Sequence, residues 1–348
     1  MLPKESVRVL TPYEPKAFNG KIKLDANEAT IPVLEGLTNN LPNALERYPD
    51  SFATRLREEA SSYYGVNVNQ IIAGNGSSEM IELTLKTYID QGDSVCGMDP
   101  SFQMYKVFSS IYGAPYFPLS LDNTFEIDSQ TIIHSVNQQN AKVVFLCTPN
   151  NPTGKVLTQR TIIDVLENTN ALVIVDEAYI EFYDEKASMR EFINTYDNLI
   201  ILRTLSKALG LAGLRLGFLI ANETIIETLN KVKAPYNLNA ITQTIGCNAL
   251  KKMAEARPYL ENVKAQRATL FQALKALDLE VVPSEANFIL FKSDVANINV
   301  RLEDKGILIR AFRDRLRGFY RVSIGTEEEN TIFINTLKEV LHDARRND

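Results

Sequence analysis

The residues best equipped for chemistry fall in one stretch, Arg203-Thr204-Leu205-Ser206-Lys207-Ala208-Leu209-Gly210-Leu211-Ala212-Gly213-Leu214-Arg215-Leu216-Gly217. An apolar run, Leu199-Ile200-Ile201-Leu202, precedes the polar centre of this stretch, and Leu216-Gly217-Phe218-Leu219-Ile220 closes it. Each run is short enough for a buried strand. A lysine between apolar strands is costly to bury as a cation. It is tolerated when neutral or when consumed in a covalent bond such as a Schiff base. The small residues around it let the backbone approach a flat ligand closely. Ser206 and Arg215 can then hold an anion, the arginine through its two-pronged donor geometry. A lone lysine is most often a solvated surface residue, but here several spaced positions agree.

Other segments carry complementary chemistry. Ile71-Ile72-Ala73-Gly74-Asn75-Gly76-Ser77-Ser78-Glu79 runs from an apolar strand into a helix marked by Ile81, Leu85 and Tyr88. Gly76, Ser77 and Ser78 at a helix N-terminus make an anion cradle, because free N–H groups and the helix dipole favour phosphate. An ordinary N-cap by Ser77 or Ser78 is the alternative. Asp176 ends the apolar run 171–175, at the strand end where α/β sheets put their ligands; a helix cap or structural carboxylate is its bland counterpart. The strand at 142–147 ends in Thr148-Pro149-Asn150-Asn151-Pro152-Thr153-Gly154, a turn by composition.

These segments need a scaffold, and the chain supplies short apolar strands alternating with helical segments. That order indicates an α/β fold with a mainly parallel sheet. Residues 1–30 read as an extended arm, since Pro3, Pro12, Pro15 and Gly20 break helices. Residues 31–236 read as a large domain. Residues 237–348 read as a smaller α+β domain, mostly helical over 239–278 with a break near Arg257-Pro258. Strands follow at 280–283, 287–291, 306–310 and 319–324. Thr326 and Glu329 fit a capping box before a final helix.

Composition narrows the function classes. The 348 residues carry a net charge of -6 and show no basic block, which argues against nucleic acid as a partner. No window of about twenty apolar residues predicts a membrane span, and the N-terminus lacks the apolar core of a signal peptide. Cys96, Cys147 and Cys247 are far apart and odd in number, with neither zinc nor disulfide spacing, so a reducing, cytoplasmic setting is expected. The two histidines, His134 and His342, sit among polar residues on predicted helices. Histidine catalysis and metal binding are therefore not expected.

Taken together, S-K-x-x-G-L-x-G-x-R at 206–215, Cys147-Thr148-Pro149-Asn150-Asn151-Pro152-Thr153-Gly154, Asp176-Glu177-Ala178-Tyr179-Ile180-Glu181-Phe182, Arg47-Tyr48-Pro49 and Leu24-Asp25-Ala26-Asn27-Glu28 resemble the histidinol-phosphate aminotransferases. These are fold-type I enzymes that use pyridoxal 5'-phosphate (PLP). The resemblance runs from Tyr13 to Arg321. One departure is that Ala29-Thr30 replaces the usual Asn-Pro after the glutamate.

The resemblance implies a role for each matching residue. Lys207 binds the cofactor covalently. Gly76, Ser77, Ser78, Ser206 and Arg215 hold its phosphate, with Tyr48 reaching across a homodimer interface. Phe102 stacks on the pyridine ring, Asp176 keeps the pyridine nitrogen protonated, and Asn151 and Tyr179 contact the ring oxygen. Tyr13, Asn27, Arg310 and Arg321 face the substrate. Read locally, Tyr48 could instead pack on a domain edge, Phe102 could be core, and Arg310 could form a surface salt bridge; Arg313 is close enough to be confused with Arg310.

The implied reaction moves an amino group between L-histidinol phosphate and 2-oxoglutarate in histidine biosynthesis. Histidinol phosphate has no α-carboxylate, whereas glutamate does. The two arginines would therefore accept phosphate in one half-reaction and carboxylate in the other, which arginine's planar fork permits. An aromatic or other amino-acid aminotransferase, or a threonine-phosphate decarboxylase, would share the cofactor residues. A PLP-sensing regulator would need an added DNA-binding domain, for which the chain is expected to have no room.

Overall fold

The structure is a computed structural model that describes residues 4–8, 10–11, 20–42 and 45–347. A single helical turn, Glu5–Arg8 (α1), precedes the short strand Ile22–Lys23 (β1). Helix Thr54–Tyr64 (α2) then leads to strand Ile71–Asn75 (β2), which runs directly into helix Gly76–Tyr88 (α3). Alternation continues through Val95–Asp99 (β3), Met104–Ile111 (α4), Tyr116–Ser120 (β4), Ser129–Gln138 (α5), Val143–Cys147 (β5), Gln159–Asn168 (α6) and Leu172–Asp176 (β6). Strands Leu199–Thr204 (β7) and Leu216–Ala221 (β8) follow, then helices Glu223–Asn230 (α7) and Ala240–Lys251 (α8).

Strands β2 to β8 form a seven-stranded sheet in the order β2-β8-β7-β6-β5-β3-β4. Strand β8 is antiparallel to both its neighbours, and the remaining pairs are parallel. It follows that six strands run one way and β8 alone is reversed. The C-terminal ends of β2, β5, β6 and β7 and the N-terminal end of β8 therefore share one edge of the sheet. Every residue of β5 through β8 is buried, as expected for β-branched and leucine-rich strands covered on both faces. One cover includes α2, α5 and α6 through Leu56, Ile132 and Ile162. The other includes α3, α4 and α7 through Ile81, Tyr105 and Ile225. Pro118 is tolerated because β4 is an edge strand.

The rest of the chain builds a second layer. Helix Arg257–Lys275 (α9) starts with Pro258 in its first turn, where the missing N–H does no harm. Strands Glu280–Val282 (β9) and Phe288–Lys292 (β10), helix Ile298–Asp304 (α10), strands Ile307–Leu308 (β11), Arg310–Ala311 (β12) and Phe319–Ser323 (β13), and helix Glu327–Asn347 (α11) complete the chain. Four of these strands form an antiparallel sheet in the order β12-β13-β10-β9. Its core joins Phe288, Phe291 and Val322 to Leu270, Leu274, Phe333 and Leu337. The capping box closes as read from the sequence: the Thr326 N–H donates to Glu329 at 2.8 Å, and the Glu329 N–H donates to Thr326 Oγ1 at 3.2 Å.

Three features differ from the sequence reading. The strand expected over 306–310 is divided: β11 pairs in parallel with β1, while Arg310 and Ala311 turn to pair with β13. The arm is therefore not merely extended, because residues 22–23 are a sheet strand and α1 fits in the proline-free interval between Pro3 and Pro12. Helix α8 also lies beyond residue 237 yet packs on the large sheet, with Cys247, Ala249 and Leu250 in the same core as Leu56 and Leu216.

Candidate active site

The shared edge of the large sheet gathers the polar residues. Gly76 opens α3 with φ 78°, a conformation costly for any side chain. A Cβ there would also lie 2.5 Å from Arg215 Nη2, so the guanidinium rests directly on the start of α3. Gly217 brings β8 equally close, since a Cβ on it would meet the Ser77 amide nitrogen at 2.4 Å. The N-cap position is Asn75, whose side chain makes no capping bond, so neither Ser77 nor Ser78 is the N-cap. Both serines are half-buried in the first turn. Ser206, buried beyond β7, is fixed by Thr204: its N–H donates to Thr204 Oγ1 at 3.1 Å, and the two hydroxyls lie 3.0 Å apart.

Lys207 is half-buried, and its Nζ donates to the carbonyl of Ala26 at 3.0 Å. The Nζ lies 5.9 Å from the centre of the Tyr179 ring. Burial lowers the amine from its ordinary value of 10.5 to about 8; Arg321, Arg215 and Lys23 add to the fall, and Glu28 opposes it. A lysine so tuned is partly neutral near pH 8 and can act as a nucleophile or proton carrier.

Asp176 ends β6 and is 4% exposed. Its Oδ2 accepts from the Tyr105 hydroxyl at 2.6 Å and its Oδ1 from the Ala178 N–H at 3.1 Å. Burial raises the carboxyl, while these two hydrogen bonds hold it down. Tyr179, buried one turn on, accepts from Asn27 Nδ2 at 3.1 Å and Asn151 Nδ2 at 3.3 Å. Burial pushes its hydroxyl up to about 12, so it stays protonated. Asn151 Oδ1 in turn accepts from Arg321 Nη1 at 2.5 Å, and Arg321 Nη2 donates to the Asp25 carbonyl at 2.6 Å. The Arg321 guanidinium sits 5.3 Å from the Phe288 ring centre, a cation–π contact.

Tyr179, Asn151, Asn27 and Arg321 are thus hydrogen-bonded in a chain, Lys207 meets the residue before Asn27, Asp176 ends the strand just before Tyr179, and Gly76, Ser77, Ser206 and Arg215 gather at the adjoining strand ends. Arg310 is the Cα partner of Arg321 across β12 and β13, which puts both on one face of the sheet. Arg313 is exposed. Phe102 is half-buried, edge-on to Tyr105 at 5.5 Å. Tyr48 is 81% exposed and stacks on Tyr236 with ring centres 4.5 Å apart. Tyr13 lies outside the described residues. His134 and His342 are exposed. Among the described residues no group of three histidine, cysteine, aspartate or glutamate side chains could hold a metal.

Two elements escaped the sequence reading. One is Tyr105, whose signal was its place three residues after Phe102, at the start of α4. The other is a buried charge cluster behind Asp176. Arg203 donates to Glu177 at 2.9 Å, Glu181 at 3.0 Å and Glu185 at 2.7 Å. Glu177 is further held by the Ser188 hydroxyl and the Met189 N–H, both at 2.7 Å. Burial raises Glu181 to about 7 despite Arg203. Its signal was an arginine ending an apolar strand beside acids spaced every four residues.

This donor set fits PLP. The Gly76–Arg215 approach leaves a cradle that a side chain would fill, a lysine of lowered basicity follows the neighbouring strand β7, and a buried carboxylate ends the next strand, β6. The profile of the family "Aminotransferase class I and II" matches residues 19–337. A histidinol-phosphate aminotransferase of Clostridium novyi is 38% identical over 343 residues, covering 96% of each chain. The crystal structure of the histidinol-phosphate aminotransferase from Clostridium acetobutylicum superposes with a TM-score of 0.85 at 26% identity, covering 93% of this chain and 100% of that one. The Sinorhizobium meliloti enzyme of the same name, in complex with pyridoxal-5'-phosphate, superposes with a TM-score of 0.90 at 21% identity over 98% and 97% of the two chains. The chain therefore belongs to the class I and II aminotransferase family, and is a PLP-dependent transaminase of fold type I.

Proposed function

We propose that this transaminase moves an amino group between L-histidinol phosphate and 2-oxoglutarate, in histidine biosynthesis. Arg321 carries the reading. It is buried, aimed at Asn151, and opposite a second arginine, Arg310, on the same sheet face. Two planar forks suit a ligand whose anion is phosphate in one half-reaction and carboxylate in the other. The name shared by relatives such as the Clostridium novyi protein points to the same amino donor.

Bound PLP supplies an aldehyde that condenses with amines and a ring that accepts an electron pair. In this reading Gly76, Ser77, Ser78, Ser206 and Arg215 bind the phosphate, and Phe102 lies against the ring. Asp176 holds the pyridine nitrogen protonated; Asn151 and Tyr179 hold the ring oxygen. Lys207 would hold the cofactor and would move the proton from the substrate's amine-bearing carbon. Asn27 and Tyr13 complete the substrate side, and Arg310 and Arg321 bind its anion.

The active unit is read as a homodimer. Tyr48, Phe52 and Tyr236 are 81%, 56% and 44% exposed. The segments bearing them are tied together by Lys233 Nζ donating to the Ser51 carbonyl at 3.0 Å and Gln243 donating to the Asp50 carbonyl at 2.9 Å. An aromatic patch of this kind suits a partner subunit, to whose phosphate site Tyr48 would reach. Residues 31–236 and 237–348 are read as the two domains after an arm over 1–30, with α8 of the second packed on the sheet of the first. The three thiols, all free and buried, suit a cytoplasmic setting.

The deciding experiment is an absorbance spectrum of the purified protein before and after L-histidinol phosphate, with no keto acid. A yellow band that shifts to the pyridoxamine form supports the reading; a yellow protein moved only by another amine assigns a different substrate. Arg321→Ala should raise KM for both substrates by about tenfold or more while changing kcat less, because truncating a buried charged donor to a bound anion costs roughly 1.5–3 kcal/mol. An unchanged KM would remove Arg321 from the substrate site.

A further inference from the structure

We propose that Tyr105 is a positioning residue for the PLP site: its hydroxyl locks the Asp176 carboxylate in the orientation and charge state that the pyridine nitrogen requires. This rests on the reading that Asp176 faces that nitrogen.

The geometry is restrictive. Asp176 accepts one hydrogen bond on each oxygen, from Tyr105 and from the Ala178 N–H. Among the described residues these are its donors, and the Ala178 bond belongs to the carboxylate's own turn. Tyr105 is therefore the group from another element that fixes the carboxylate plane. The tyrosine cannot swing away. It is fully buried, its ring lies flat on Phe145 at 4.5 Å and 6°, and Phe102 meets it edge-on at 82°. The turn that leads into α4, closed by the Tyr105 N–H donating to the Phe102 carbonyl at 3.2 Å, thus joins the ring assigned to the face of the cofactor to the hydroxyl that holds its electrostatic partner.

The charge logic agrees. Other titratable groups around Asp176 are Cys147 on the adjacent strand, Glu177 and Tyr179 on its own turn, and Lys207. Burial and Glu177 favour the neutral acid; Tyr105, the Ala178 N–H and Lys207 favour the carboxylate. Removing the Tyr105 hydroxyl should raise the pKa of Asp176. PLP binding that depends on the carboxylate would then fail at a higher pH as the solution is acidified.

The test combines two readouts on wild type, Tyr105→Phe, Asp176→Asn and the double variant. PLP affinity is measured across the acid-to-neutral range, and stability of the cofactor-free form is measured by denaturant. Tyr105→Phe should weaken PLP by about tenfold near neutrality and move the acid limb of binding to higher pH. The two substitutions should be non-additive in cofactor-free stability, because the hydroxyl makes a charge-assisted bond only while the carboxylate is there. If Tyr105→Phe alone does not fold, recovery of folding in the double variant gives the same support. Unfolding of both would assign the defect to ring packing and overturn the proposal. Weak PLP binding in Asp176→Asn together with wild-type behaviour in Tyr105→Phe overturns the role of Tyr105 alone. Unchanged PLP binding in Asp176→Asn removes the assignment of Asp176 as well.

Discussion

At the scale of single residues, the cofactor cradle and the lysine give separable predictions. Gly76→Ala would force a left-handed residue with a Cβ against Arg215. The left-handed conformation costs about 1–2 kcal/mol, so the variant should denature earlier and bind PLP more weakly, as calorimetry and a PLP titration would register. Lys207→Ala should lower turnover by about 10^3-fold or more, the scale of a lost proton carrier, while noncovalent PLP binding persists. Lysine 207 also has a pH signature. Its pKa falls from 10.5 to about 8 on folding, so the unfolded chain holds the proton more tightly. Stability of the cofactor-free form should rise as pH increases from 8 towards 10.5. Lys207→Met should flatten that rise, and an unaltered slope would refute it. Ser206, Lys207 and Arg215 stood out in the sequence because polar residues at these spacings between two apolar runs resemble a cofactor-lysine segment. Tyr105 was not, because an aromatic on the buried face of a helix looks like core until its hydroxyl partner is seen.

At the scale of elements, the end of β6 is held from both faces. Asp176 faces Tyr105, while Glu177 turns the other way to Arg203. A buried arginine with three glutamates is fragile to partial removal: Arg203→Ala leaves buried carboxylates uncompensated and should cost about 3–5 kcal/mol. Thermal unfolding would measure it, and a loss under about 1 kcal/mol would show that the cluster is solvated. Glu181 has a folded pKa near 7, above its ordinary 4.5. Its contribution is therefore complete below 4.5 and is lost as pH rises through 7. Glu181→Gln should flatten the pH dependence of the denaturation midpoint over that window. Strand and helix order were legible from short apolar runs and turn residues. The division of 306–310 was not, because local pattern does not reveal that β11 has a partner, β1, almost three hundred residues away.

At the scale of the whole molecule, the two sheets meet at the site through the N-terminal segment. Residues 22–24 are stitched to 306–308 by β1 and β11, and Leu24 accepts from Ser323. Ala26 and Asn27 then reach Lys207 and Tyr179. The exposed aromatic patch makes the assembly prediction: Tyr48→Ala together with Tyr236→Ala should shift sedimentation towards the monomer and weaken PLP binding. A dimer of unchanged strength would displace the interface from this face.

Those contacts of Ala26 and Asn27 also set an order of events during synthesis. The ribosome releases this segment first, yet Asn27 is held by Ser323, delivered almost at the end. All seven strands of the large sheet are in hand once Ala221 has emerged. A nascent chain at that stage can close its sheet, but the segment that meets the lysine still lacks its backbone anchors, the pairing with 306–308 and the bonds to Asn287 and Ser323. The candidate site is thus completed late, and a chain interrupted before residue 319 would contain most of the residues proposed for it but lack Arg321 and the Ser323 contact that fixes Asn27.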